Sequence, residues 1–170
     1  MITEQDYINA EDQFINLTNK ELVQLVKKAA DAQPALFVFI AACYDSLGED
    51  ENKEFYIQSI YSTWIAYNNK YKLKRKLNIE EIEKTEEKLS NDIYKTEDAL
   101  IDEALKRMTE HPQAALAEHL RMQIDDFFGP DQLQDENSKK SSYPDAGIIS
   151  GVINSFINLL EKTRETLVVS

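Results

Sequence analysis

Apolar residues recur every three or four positions along most of this chain, the spacing that puts them on one side of an α-helix. Ile8 and Ile15 set the inward face of a first helix over about Thr3 to Leu17, with Thr3 and Asp6 at its cap. Thr18-Asn19-Lys20-Glu21 has the form of a capping box, in which hydroxyl and carboxylate each satisfy a free amide. The helix it opens carries Leu22, Val26, Ala29 and Ala30 and stops before Pro34, because the residue preceding proline avoids helical torsions. Pro34 suits the first turn of a third helix that closes at Gly48. Its middle, Leu36 to Cys43, is apolar on every side. A strand is the alternative there, but no second strand candidate exists to pair with it. The pattern therefore predicts a helix surrounded by others.

Between Gly48 and Pro112 the chain has neither glycine nor proline. Ile57, Ile60, Tyr61, Trp64, Tyr67 and Tyr71 define one helical face beginning near Asp50. Leu73 and Leu77 fall on the opposite side of that wheel, so the helix breaks or bends between Asn68 and Asn78. Asn78 can cap the next helix, with Glu81 at the reciprocal position. Its apolar set runs from Ile79 and Ile82 through Leu89, Ile93 and Leu100 to Met108, with eleven-residue separations such as Ile82 to Ile93. One long helix around 78–110, roughly 45 Å from end to end, follows. Leu116, Leu120, Ile124 and Phe127 mark a further helix, closed by Gly129-Pro130. The polar run 131–143 has no period and reads as a mobile loop. Pro144 opens the last helix, whose face carries Ile149, Val152, Ile153, Phe156, Leu160 and Leu167. The chain, 1–170, is thus expected to be a single all-α domain, a bundle or orthogonal array of six or seven helices.

Composition narrows the function classes. The chain has 170 residues and a formal net charge of −12, which repels phosphate backbones and anionic membranes. Nucleic acid is therefore not the expected partner. No basic segment followed by an apolar run stands at the start, and the longest apolar stretch is too short to span a bilayer. With one cysteine, Cys43, no internal disulfide is possible; a cytoplasmic location is the expectation.

Candidate chemistry is sparse. His111 and His119, each preceded by glutamate, lack the Glu-x-x-His spacing of di-iron bundles. Both fall outside the apolar stripe and read as solvated; a metal site using His111, Glu118 and His119 is the functional alternative. Cys43 has no base beside it and reads as a small buried hydrophobe. There is no Gly-x-Ser-x-Gly elbow and no glycine-rich phosphate loop, so no cofactor is expected. Gly147 and Gly151 mark either a loose helix start or a second, tight packing face. Two features stand out: five basic residues among Lys70 to Lys76, and the glutamates Glu80, Glu81, Glu83, Glu86 and Glu87 directly after. Opposite charges suit the end of one helix and the start of the next, which accounts for both blocks. Read functionally, Trp64, Tyr67, Tyr71, Lys72, Lys74, Arg75 and Lys76 form an aromatic and basic contact surface, and Ile93 and Leu100 a helical one.

Three functions compete on these grounds. The leading expectation is a non-catalytic helical interaction or scaffold protein that binds a protein partner or itself, most simply as a homodimer. The second is an acidic, immunity-like inhibitor that captures a basic partner. The third is a helical enzyme holding a divalent metal on carboxylates such as Asp102, Glu103, Asp125 and Asp126.

Overall fold

The structure, a computed structural model, describes residues 1–73, 75–93, 111–129 and 139–164. Seven helices account for most of these: α1 Glu4–Ile15, α2 Asn19–Ala32, α3 Pro34–Asp45, α4 Asp50–Lys70, α5 Ile79–Ile93, α6 Ala114–Phe127 and α7 Lys139–Thr163. The fold is all-α. The only β feature among the described residues is an isolated antiparallel bridge between Leu73 and Arg164.

Local signals place most of the boundaries. Thr3 and Asp6 form a capping box on α1, and Thr18 and Glu21 form one on α2. Pro34 occupies the first turn of α3. The main chain leaves α4 at Tyr71, and α5 starts after Asn78, whose Oδ1 accepts from the Glu81 amide at 2.9 Å. Glu81 returns a carboxylate oxygen to the Asn78 amide at 3.1 Å, completing the reciprocal cap.

Helix α4 is the axis of the molecule. From Ser59 to Tyr67 every residue is buried, with α1, α3 and α7 packed around it. The single inward face expected from Ile57, Ile60, Tyr61, Trp64 and Tyr67 is therefore too narrow. The opposite side, with Ser59, Ser62, Thr63 and Ala66, is covered as well. Small residues on that side let neighbouring backbones approach, and the hydroxyls of Ser59 and Thr63 donate to Phe55 O and Ser59 O of their own helix.

Several expectations are corrected. In α1 the inward residues are Tyr7 and Ala10, with Phe14 half-buried, while Ile15 is exposed and Ile8 only half-buried. Two aromatic rings bury more area than two isoleucines and set the rotation of the helix; Phe14 stacks on Tyr61 at 6.2 Å between ring centres. In α2 only Ala29 is fully buried, and Val26 is open to solvent, because α2 packs chiefly on α3. Helix α3 is not surrounded: Leu36, Phe37, Phe39 and Ile40 face inward, but Val38 faces out. Gly48 does not cap α3. Ser46 closes that helix, its hydroxyl donating to Cys43 O at 2.6 Å. The Gly48 amide instead donates to the buried carboxylate of Asp145 at 3.1 Å, and the Asn52 side-chain amide joins it there at 2.7 Å. Asp145 thus ties α7 to the start of α4.

The last helix begins at Lys139, ahead of Pro144, so the loop reading fails for 139–143. Gly151 is a close-packing position rather than part of a loose start. A β-carbon there would collide with Leu89 Cδ1 of α5, whereas Gly147 has open space around it. Of the long helix expected around 78–110, α5 is the described part; 94–110 lies outside the described residues, as does 131–138 of the expected loop.

Candidate functional site

The sequence-nominated residues separate into three groups. Trp64 and Tyr67 are core residues, 4% and 0% exposed, and so supply no outer surface for a partner. Tyr71 is half-buried beside them, its ring 5.6 Å from that of Tyr67. Both tyrosines belong to a polar knot that joins the chain's start to the ends of α4 and α7. Gln113, fully buried just before α6, accepts from the Ile2 amide at 2.7 Å. Its Nε2 donates to Glu161 Oε1 at 2.7 Å and to the Tyr71 hydroxyl at 3.3 Å. Tyr67 donates to the same Glu161 oxygen at 2.8 Å. Arg164 pairs with Glu161 Oε2 at 2.7 Å and lies 4.8 Å from the centre of the Tyr71 ring. Burial, and then the bond to Glu161, hold the Tyr67 hydroxyl far above the usual tyrosine range. This knot satisfies polar groups that the fold has buried, and holds them in one arrangement.

The basic block is largely occupied. Lys70 pairs with Asp6 of α1. Arg75 makes a two-pronged bond to Glu81 at 3.0 and 2.7 Å, and Lys76 donates to Asp31 O at 3.1 Å. Lys72 is exposed, and Lys74 lies outside the described residues. Beneath this link, the buried Gln33 side chain donates to Arg75 O at 2.7 Å and accepts from the Leu77 amide at 2.9 Å. The cations therefore secure the passage from α4 to α5. Ile93 closes α5, and Leu100 lies outside the described residues.

The histidines are not solvated as expected. His111 is buried, and its Nδ1 accepts from the Gln113 amide at 3.0 Å. Burial lowers its pKa, opposed by the nearby Glu161 carboxylate. His119 packs against the Tyr7 ring at 5.3 Å and meets Glu4 at 3.3 Å. Both lie where α6 meets the rest of the core, a placement that a wheel drawn for α6 alone does not reveal. Glu118 is engaged by Arg121 at 2.7 Å, and His111, Glu118 and His119 do not form a ligand group. No group of three potential metal ligands occurs among the described residues. Cys43 is half-buried; burial, aided by the charge of Glu86, pushes its thiol up to about 12.

What the sequence did not nominate is the outer side of α3. Pro34, Val38, Ala41, Ala42 and Asp45 are all exposed and share one stripe, apolar except at its last position. Val38 is 71% exposed. On α2, Val23 and Val26 are exposed too, bordered by Lys20, Lys27 and Lys28. The signal was present in the unbroken apolar run Leu36 to Cys43. A short helix at the edge of a domain cannot bury all its sides, so one apolar side must face outward.

No known protein family, curated protein or solved structure matches this chain.

Proposed function

We propose that this protein is a non-catalytic helical interaction protein that pairs with a second copy of itself through α3, with α2 at the margin. One observation carries the reading: the outward stripe of α3 is Pro34, Val38, Ala41 and Ala42, where a solvated helix would carry charged residues. Exposed alanines let a second helix approach closely, and valine between them supplies area to bury. A two-fold axis would set the same stripe of each copy against the other. The α3 stripe is only about 18 Å long, so the surface of α2 must contribute if the pair is to reach the size of a stable interface.

Light scattering after gel filtration tests this. The expected result is a mass near twice 19.6 kDa for the wild type at high concentration and near 19.6 kDa for Val38→Glu. A wild type that stays monomeric at every accessible concentration removes the proposal.

A further inference from the structure

A groove opens to solvent between α1, α4 and α6, on surface that the proposed pairing does not use. Its volume is about 330 Å³, and Glu11, Phe55, Gln58, Gln123, Asp126 and Phe127 line it. Phe55 and Phe127 are stacked, ring centres 4.4 Å apart and planes 14° from parallel. Beside them the Glu11 carboxylate is held in place. Gln123 Nε2 donates to its two oxygens at 2.9 and 3.0 Å, and Gln58 Nε2 donates at 3.4 Å.

Those bonds leave the lining with one kind of polar character. The amide donors of Gln58 and Gln123 are turned toward Glu11. Asp126 adds a second, exposed carboxylate, and no lysine or arginine lines the groove among the described residues. The walls thus combine carboxylate acceptors with aromatic rings. Their complement is a planar, donor-rich cation. A guanidinium stacks on rings, sheds water more readily than an ammonium, and offers several N–H groups at once. The net charge of −12 would draw such a group in.

We propose that this groove binds the arginine side chain of a basic partner protein: guanidinium against Phe55 and Phe127, its N–H groups donating to the carboxylates of Glu11 and Asp126. The inference is independent of self-association and stands or falls separately from it.

Titration of the full chain with a short tri-arginine peptide, followed by amide NMR shifts and calorimetry, tests it. Saturable binding is expected, with the largest shifts at Glu11, Phe55, Gln123 and Phe127, and it should weaken with salt. Glu11→Gln and Phe127→Leu should each weaken it about five- to tenfold. The neutral isostere peptide, tri-citrulline, should not bind. Absence of saturable binding, or shifts spread over the acidic surface and unchanged by both variants, overturns the proposal. Equal or tighter binding of tri-lysine or of a polyamine overturns the assignment to arginine. If either variant fails to fold, the shift map of the wild type decides alone.

Discussion

Replacing Gln113 by alanine tests whether the polar knot holds the segment at Ile2 to the end of α7. The side chain is fully buried and bonds groups remote in sequence, the Ile2 amide and Glu161. Alanine leaves the buried Ile2 N–H without an acceptor, at about 1–3 kcal/mol, and takes from the Glu161 carboxylate a bond worth about 1.5–3 kcal/mol. Tyr67 and Arg164 still serve Glu161, which limits the second loss. The expected cost is about 3–5 kcal/mol, a large share of the ~5–15 kcal/mol typical of a domain. It corresponds to a fall in Tm of about 10 °C for a chain of this size. Urea unfolding followed by circular dichroism measures it. Gln113→Glu sharpens the test, because a second carboxylate then faces Glu161. That variant should be the less stable of the two at neutral pH and should recover relative to Gln113→Ala as the pH falls. A cost below about 1 kcal/mol for alanine, or identical pH dependence in the two variants, would refute the reasoning.

Three further outcomes follow from single features. Gly151→Leu should destabilise by about 1–3 kcal/mol through its clash with Leu89, and Leu89→Ala in the same chain should recover part of that loss in a double-mutant cycle. Cys43, its thiol pushed up to about 12, should react with iodoacetamide at mildly alkaline pH far more slowly than the urea-unfolded chain; equal rates would contradict its burial. His111 has its pKa lowered in the fold, so the unfolded chain takes up the proton first and stability falls as the pH drops below about 6.5. His111→Gln should lose less stability than the wild type between about pH 7.5 and pH 5, as read by denaturant midpoints.

Caps and period were legible in the sequence, whereas rotation and partners were not. Thr3, Thr18 and Asn78 accept from amides within a turn of themselves, and Pro34 presets the torsion of its own first turn, so their effect can be read locally. The break after Asn68 was legible because Leu73 and Leu77 cannot share a face with Trp64 and Tyr67. By contrast, Ile15 and Val26 carry the right residue types at the right spacing and still face solvent. Which arc of a helix is buried depends on neighbours distant in the chain. The polar residues that tie distant segments together were silent for the same reason. Gln33, Gln113 and Asp145 sit where no pattern marks them, and each finds its partners across 40 or more positions. The candidate interface was half legible. An apolar run with no polar side was visible from Leu36 to Cys43, but reading it as wholly enclosed concealed the outward stripe at Val38 and Ala42.

Sedimentation equilibrium of the wild type and Val38→Glu, at low salt and in about 0.5 M NaCl, bears most directly on the self-association claim. Two copies of a chain with a net charge of −12 repel, so an apolar interface should tighten as salt screens that repulsion. The account predicts a concentration-dependent dimer for the wild type, strengthened by salt and abolished by Val38→Glu. A variant that dimerises as well as the wild type, or a wild type monomeric in both buffers, would contradict it.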